Sequence, residues 1–138
     1  CGKGAVSINL AKNLNCSVLG IDGLSEFILE AQMFAEKHKV ADHCVFEVAD
    51  AREKISEIKG FDLVILGAVG QILGTLNQTL SKIATALNPE GFVVMDDGWV
   101  EDDYSGVYQR CHKKSDFYKM IEDAGFELVM SFASILIR

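Results

Sequence analysis

The sequence predicts an α/β fold with a doubly wound, mostly parallel sheet and helices on both of its faces. Short continuous apolar runs, typical of strands buried on both faces, alternate with amphipathic segments of helical period. Most of these runs end on an acidic residue or a glycine, at the edge where such sheets bind their ligands. With 138 residues, 49% of them hydrophobic, the chain has the length of one domain, and we assign residues 1–138 to it.

The first half of the chain is predicted to begin with a helix at residues 5–14, where Val6, Leu10 and Leu14 recur at helical spacing. We expect Ser25 to be the N-cap of the second helix, because a serine side chain can accept a hydrogen bond from the first turn. The remaining predicted elements of this half are a strand at 16–22, a helix at 25–39, a strand at 44–49 and a weak helical turn at 52–58.

The second half contains the clearest helix signal. Thr75 and Gln78 have capping-box spacing, and the apolar residues that follow line one helical face up to Leu87. Asn-Pro-Glu-Gly at 88–91 is expected to end this helix. The other predicted elements are strands at 61–66, 92–95 and 126–133, a helix at 115–124, an irregular segment at 98–113, and either a sixth strand or a frayed end at 134–138.

Composition excludes several classes of function. The net charge of −7 argues against a large nucleic-acid footprint, which needs a clustered basic face. No apolar run approaches the roughly 18 residues that span a bilayer, so we expect no membrane partner. The four cysteines are widely spaced and lack zinc-like pairing, which indicates reduced thiols, a cytoplasmic protein and no metal site.

A glycine turn and a strand-end acid suggest a nucleoside site. Asp22 ends the first predicted strand and follows Gly4 by 18 residues, close to the roughly 20 residues of a nucleoside-binding βαβ unit. A carboxylate there can accept hydrogen bonds from a ribose diol. Gly2 and Gly4 would let the backbone approach a ligand without a Cβ in the way. The alternative for Asp22 is an ordinary acid in a strand-end turn.

A second acid, Asp50, ends the next predicted strand 28 residues beyond Asp22. Its carboxylate could accept from an exocyclic amine, while the N–H of Ala51 could donate to a ring nitrogen. Together the two groups would recognise the edge of an adenine. Taken alone, Asp50 is at least as well explained as a helix N-cap.

Five motifs in this order resemble those of class I S-adenosylmethionine-dependent methyltransferases. They are Cys-Gly-Lys-Gly at 1–4, Gly-Ile-Asp at 20–22, Val-Ala-Asp-Ala at 48–51, Phe-Asp-Leu-Val at 61–64 and Leu-Asn-Pro-Glu-Gly at 87–91. The family's glycine motif reads acid-x-Gly-x-Gly-x-Gly, and Gly2 and Gly4 match its second and third glycines. Its acid and first glycine would lie upstream of Cys1, so we expect a longer parent with a strand ending in acid-x-Gly there.

The resemblance implies S-adenosylmethionine as the cofactor and a binding role for each matching position. Glycines would lie along its methionine part, strand-end acids would hold its ribose and adenine, and the residues after the third strand would flank its sulfonium. In that order the positions are Gly2 and Gly4, then Asp22 with Gly23, then Asp50 with Ala51, and finally Gly67 with Ala68.

Two other interpretations stay open at this point. A nicotinamide dinucleotide-binding domain would need a third small residue at position 7, where Ser7 stands, and room for a pyrophosphate at the helix N-terminus. A non-catalytic α/β scaffold would keep the fold and lose the cofactor contacts. Asp50 with Ala51 is better explained by adenine contact in the methyltransferase arrangement.

Methyl transfer from a sulfonium needs mainly orientation and desolvation, so few catalytic residues are expected. The candidates are Gln71, after the third strand, and Asp97, which follows Asp96 at the end of the fourth. The acidic pair could steady a protonated acceptor, act as a base or bind a divalent cation; an ordinary strand-end turn is the alternative. The [DN]-P-P-[YF] motif of nucleic-acid amino methylases is absent after Gly67, which favours a small-molecule acceptor.

The resemblance also has a consequence for assembly. In the family arrangement the strand before the glycine turn lies between the strands at 16–22 and 61–66. A sheet without it would expose two rows of backbone hydrogen-bonding groups, and leaving such groups unpaired in a buried position is costly. We therefore expect a strand upstream of Cys1 to fill that place. Without that strand, the gap would have to be filled by another chain, as in a homo-oligomer, by an exchanged strand, or by closing of the sheet.

Overall fold

The computed structural model describes residues 1–106 and 111–131. The chain divides into two compact units, Cys1–Phe61 and Asp62–Arg138, which we call the N-terminal unit and the C-terminal unit. In the described ranges, no helix is both long and apolar enough to cross a membrane.

The N-terminal unit is built around two parallel strands. Strand β1 pairs with β2 so that Val18 lies opposite Cys44 and Asp22 opposite Val48. The elements of this unit are α1 (Ala5–Leu14), β1 (Val18–Asp22), α2 (Ser25–Lys37), a 3₁₀ turn (Ala41–His43), β2 (Cys44–Val48) and the short α3 (Ala51–Lys54).

Helices α1 and α2 pack on this strand pair through one apolar cluster. Ala11 of α1 and Ala31 of α2 are almost completely buried in it, beside Phe46 of β2. A Cβ at Gly20 would lie 2.6 Å from the Phe46 ring, so β1 needs a glycine where that ring crosses it. Tight packing of small residues around Phe46 therefore fixes the start of α1 against the strands.

The C-terminal unit contains two further strand pairs, β3 with β4 and β5 with β6. The second pair is parallel, with Trp99 opposite His112. The elements are β3 (Phe61–Leu66), α4 (Leu76–Ala86), β4 (Leu87–Met95), β5 (Trp99–Val100), β6 (His112–Lys113) and α5 (Lys114–Asp123).

An apolar cluster between α4 and α5 forms a core of the C-terminal unit. Leu80 and Phe117 are both nearly inaccessible to solvent. The ring of Trp99 lies 5.4 Å from Phe117 and 5.5 Å from Tyr118, in tilted and edge-to-face arrangements that aromatic pairs favour. The cluster thereby joins the segment after β4 to helix α5.

Several predicted boundaries are confirmed. The helix at 5–14 and the strand at 61–66 match α1 and β3. Thr75 is the N-cap of α4, with the reciprocal Gln78 contact of a capping box. These elements are encoded by local spacing, which sequence patterns report directly.

The predicted N-cap at Ser25 is wrong. Leu24 holds the N-cap position of α2, without a side-chain cap. The N–H of Leu24 donates to Asp22 Oδ1 at 3.0 Å, whereas Ser25 Oγ donates to Glu26. The strand-end acid thus makes the polar contact at the entry to this helix.

Two further elements of the C-terminal unit differ from prediction. Strand β4 begins at Leu87 rather than at 92, and Asn88 Nδ2 at its start donates to Asp62 Oδ1 of β3 at 2.7 Å. The segment at 98–113, predicted irregular, contains β5 and β6. Of the strand predicted at 126–133, residues 126–131 have no regular secondary structure, and the rest, like 134–138, lies outside the described residues.

Candidate functional site

The glycine turn at the start of α1 combines one tightly packed glycine with one open glycine. Both adopt left-handed backbone angles, with φ of 56° at Gly2 and 78° at Gly4. A Cβ at Gly4 would lie 2.9 Å from atoms of both Ala31 and Phe46, whereas one at Gly2 would meet nothing within 4 Å. Gly4 therefore serves packing, and Gly2 leaves its backbone open to a ligand.

The Asp22 carboxylate ties this turn to the end of β1. Its Oδ2 accepts from the N–H of Gly2 at 2.7 Å and from the Cys1 nitrogen at 3.0 Å, while Leu24 donates to Oδ1. Burial acts to raise the pKa of the Asp22 carboxyl, but the hydrogen bonds from Gly2 and Leu24, together with the hydrogen bond and charge of the Cys1 nitrogen, outweigh it and the pKa lies below its ordinary value. Asp22 is thus a charged acceptor beside the turn.

The strand register brings the second acid to the same end of the ladder. Asp22 lies opposite Val48, and the N–H of Ala49 donates to the Asp22 carbonyl at 3.0 Å. Asp50 follows directly and is the N-cap of α3. The structure therefore brings the turn, Asp22 with Gly23, and Asp50 with Ala51 to one end of the β1–β2 pair.

The Asp50 side chain is held by Arg52, a residue that the sequence analysis missed. The backbone N–H of Arg52 donates to Oδ1 at 2.9 Å, and the guanidinium contacts both carboxylate oxygens. These side-chain hydrogen bonds, followed by the backbone one, lower the pKa of Asp50 from 3.8 to about 2. The acid-x-Arg spacing at a helix start was the signal that could have revealed the pair.

A second ion pair anchors α3 itself. Lys54 Nζ lies 2.8 Å from Glu47 of β2 and 3.2 Å from Glu57. The hydrogen bonds to these two carboxylates raise the pKa of Lys54. Because Glu47 belongs to the strand that leads to Asp50, this contact holds the short helix in place behind the acid.

A small cleft in the C-terminal unit collects the predicted acceptor-side residues. It has a volume of about 60 Å³, room for about two water molecules, and lies where β3 and β4 end. The N–H of Asp96 donates to the Leu66 carbonyl at 2.9 Å, which aligns the two strand ends. The lining residues are Leu66, Val69, Gly70, Gln71, Gly74, Leu76, Thr79, Met95, Asp96 and Asp97.

The structure thus places Gln71 and Asp97 in one cleft. Both side chains are exposed, and the N–H of Gly98 donates to Asp97 Oδ1 at 2.7 Å. The second oxygen of Asp97 can accept a proton or a hydrogen bond from a bound molecule. Among the residues with described positions, no group of three or more His, Cys, Asp or Glu side chains could hold a metal ion.

Gly67 and Ala68 follow β3 and precede the first loop residues of the cleft. A Cβ at Gly67 would meet nothing within 4 Å. Ala68 has a φ of 53°, a left-handed conformation that costs a residue with a Cβ on the order of 1–2 kcal/mol. Strained backbone of this kind concentrates at functional sites.

A polar clamp beyond the cleft was also missed by the sequence analysis. Lys113 Nζ donates to the carbonyls of Glu101, Asp102 and Tyr104. The Asp102 carboxylate accepts from the N–H and Oγ of Ser115 at 3.0 and 2.9 Å, and these bonds lower the pKa of Asp102. The contacts fasten the acidic segment after Asp97 to the start of α5.

Comparison with known proteins decides the family. A family model described as a methyltransferase domain matches residues 1–130. The chain belongs to this methyltransferase-domain family. No curated protein matches it.

Solved structures agree with the family. An S-adenosylmethionine-dependent methyltransferase from Thiobacillus denitrificans, in complex with S-adenosylhomocysteine, is 21% identical with a TM-score of 0.78, over 94% of this chain and 56% of that one. Another from Geobacter sulfurreducens, in the same kind of complex, is 19% identical with a TM-score of 0.80, over 94% and 55%. Precorrin 8W decarboxylase from Methanobacterium thermoautotrophicum is 26% identical with a TM-score of 0.64, over 92% and 60%.

These matches confirm the predicted family and the predicted Rossmann-like α/β fold. The methyltransferase domain spans little more than half the length of the two methyltransferases that it resembles.

Proposed function

We propose that this protein is an S-adenosylmethionine-dependent methyltransferase and that residues 1–138 form its cofactor-binding domain. The observation that carries the proposal is the 2.7 Å hydrogen bond from the Gly2 N–H to Asp22, in a chain of the methyltransferase-domain family. This bond joins the glycine turn to a strand-end acid, and the register of β1 with β2 puts Asp50 at the same end.

The residues of the N-terminal unit fit the ribose of this cofactor. An ionised carboxylate has about four acceptor positions, and three N–H donors occupy Asp22, so one position remains for a ribose hydroxyl. A Cβ would meet nothing within 4 Å at either Gly2 or Gly23. The backbone on both sides of the carboxylate therefore admits a bulky ligand.

The adenine would be held at the same end of the β1–β2 pair, by the residues that follow β2. Asp50 offers a carboxylate to the exocyclic amine. Ala51 is the first residue of α3, and an N–H in that position has no partner inside the helix. We assign this pair to the adenine edge. The methionine part along Gly2 and Gly4, and the sulfonium beside Gly67 and Ala68, stay predictions from the family resemblance.

When bound, the cofactor supplies an already activated methyl group, so the protein has to orient the acceptor and exclude water. We assign Gln71 to positioning the acceptor, because its amide both donates and accepts. We assign Asp97 to receiving a proton from an acceptor hydroxyl or amine. The acidic composition supports a small-molecule acceptor and argues against nucleic acid.

We propose that the protein is cytoplasmic, because the widely spaced cysteines of the sequence are typical of reduced thiols.

Calorimetric titration of the full-length protein with S-adenosylhomocysteine tests the proposal. We expect Asp22→Ala and Asp50→Ala each to weaken binding by roughly tenfold or more, the usual effect of losing a hydrogen bond to a charged group. Asp42→Ala, in the 3₁₀ turn of the same unit, is the matched control and should bind like the wild type. Equal affinity in all four proteins would refute the assignment. Preference for a nicotinamide dinucleotide, or a folded protein that binds neither ligand, would favour the two other interpretations.

A further inference from the structure

The guanidinium of Arg52 saturates the carboxylate that we assign to the adenine. Oδ1 of Asp50 accepts from the Arg52 N–H and from Nε, both at 2.9 Å. Oδ2 accepts from Nε at 3.0 Å and from Nη2 at 2.5 Å. A carboxylate has about four acceptor positions, so these four contacts leave none for a further donor.

We propose that Arg52 is an internal competitor for the adenine site: its guanidinium occupies Asp50 in the free protein and has to release it before a 6-amino group can donate there. The inference rests on the proposed function, because it takes Asp50 as an adenine contact. It adds a residue that sets cofactor affinity without belonging to any of the motifs in the sequence.

Arg52 is placed so that it can be displaced at low cost. Its side chain is 68% exposed, and that of Asp50 is 34% exposed. Ion pairs in such exposed positions contribute little net free energy, because water screens the charges and because fixing the long side chain costs conformational entropy. The guanidinium can return to solvent when a ligand arrives, so the competition lowers affinity only moderately.

The site stays intact when the guanidinium leaves. The backbone N–H of Arg52 still donates to Asp50 Oδ1, and this contact does not depend on the side chain. Lys54 still pairs with Glu47 of β2 and keeps α3 on the strand. Removing the Arg52 side chain should therefore free an acceptor that is already oriented.

This arrangement predicts a dependence on ligand chemistry. A purine that carries a 6-amino group must displace the guanidinium to reach Asp50. A purine without that group cannot donate a hydrogen bond to the Asp50 carboxylate and leaves the ion pair in place. The effect of Arg52 should therefore appear with adenosine and disappear with purine riboside, which lacks the amine.

Calorimetric titrations of the full-length protein test this inference. The ligands are S-adenosylhomocysteine, adenosine and purine riboside, and the proteins are wild type, Arg52→Met, Arg52→Gln and the control Lys59→Met. Lys59 is an exposed cation of the same unit, so its loss changes the net charge equally. We expect both Arg52 variants to bind the two adenine ligands about two- to fivefold more tightly, the range for an exposed ion pair. Purine riboside should bind all four proteins alike, and the gain should shrink in about 1 M salt.

The outcomes separate this inference from the function on which it rests. A wild-type protein that binds neither S-adenosylhomocysteine nor adenosine refutes both. If the wild type binds and the Arg52 variants match Lys59→Met, the competitor role is refuted while the cofactor assignment stands. Weaker adenosine binding in the Arg52 variants would make Arg52 a direct ligand contact instead. If the Arg52 variants gain the same affinity for adenosine and for purine riboside, the gain comes from the change in net charge rather than from Asp50. That result would also overturn the inference.

Discussion

The two units prepare their candidate sites in different ways. In the N-terminal unit the acidic site residues are already engaged: Asp22 accepts from the glycine turn, and Asp50 accepts from Arg52. In the C-terminal unit Gln71 and Asp97 share a cleft and are both exposed. The comparison teaches that hydrogen bonds within the fold orient the acids of the proposed nucleoside site, whereas the residues of the proposed acceptor site lie at a strand end and in a loop.

The largest expected effect is on the free energy of unfolding, and it comes from a substitution in the core of the C-terminal unit. If apolar packing orders this unit, Phe117→Ala should lower the free energy of unfolding by about 3–5 kcal/mol, because Phe117 is only 4% exposed and a cavity would remain. Phe92→Ala is the matched control, since Phe92 is 60% exposed and should cost about 0.5 kcal/mol or less. Urea denaturation measures both. Equal losses would contradict an ordering role for the α4–α5 cluster.

The glycine turn offers the next largest effect. Gly4→Ala should lower the free energy of unfolding by about 2–4 kcal/mol, because the left-handed backbone disfavours a Cβ and Ala31 and Phe46 lie too close. Gly2→Ala should cost only about 1–2 kcal/mol for the backbone term, since its Cβ would point into open space.

Ligand binding by the same two variants tests the division of labour in the turn. The methyl group at Gly2 would occupy the space that we assign to the cofactor, so Gly2→Ala should weaken S-adenosylhomocysteine binding even though it remains folded. If Gly2→Ala proves the more destabilising change, or binds with unchanged affinity, Gly2 does not form the open wall of the site.

The smallest effect concerns protonation in the N-terminal unit. Removing the guanidinium in Arg52→Met should raise the pKa of Asp50 from about 2 towards its ordinary 3.8. A carboxyl group whose pKa is lower in the folded state than in the unfolded state stabilises the fold at pH values above the unfolded-state pKa. That contribution is lost as the pH falls through the folded-state pKa. The stability advantage of wild type over Arg52→Met should therefore disappear between about pH 4 and pH 2.

Carbon-13 titration of the carboxyl groups measures this shift directly. Asp22 serves as the internal control: its donors are Cys1, Gly2 and Leu24 rather than Arg52, so its pKa should stay low in Arg52→Met. A pKa of Asp50 that does not move would show that Arg52 is not the group that holds it down.

Local patterns predicted much of the fold and supplied most residues of the candidate site, whose roles stay predictions. Helix α1 and the capping box at Thr75 depend on neighbouring residues, and Asp22 and Asp50 were recognisable because they end apolar runs. Contacts between residues far apart in the sequence could not be predicted from local patterns. Strand β4 begins early, at a point where Asn88 meets Asp62 across 26 positions, and Lys113 reaches the carbonyl of Glu101 across 12.

The contact of Arg52 with Asp50 was missed for a different reason. Its spacing from Asp50 is short, yet both a helix cap and an adenine contact explain an acid at that position equally well in the sequence. Only side-chain geometry shows that the cap and a guanidinium together fill the carboxylate. Ser25 was predicted as an N-cap from its residue type alone, whereas the contact of Asp22 with the Leu24 N–H depends on the turn between strand and helix.

Amide NMR during a titration with S-adenosylhomocysteine tests most directly the claim that the N-terminal unit carries the nucleoside site. We expect the largest shift changes at Gly2, Gly4, Asp22, Gly23 and Ala51, together with a change in the Arg52 Nε–H signal as the guanidinium leaves Asp50. Amides of α5 should change little. Saturable binding that leaves the glycine turn and both strand-end acids unshifted would contradict the account.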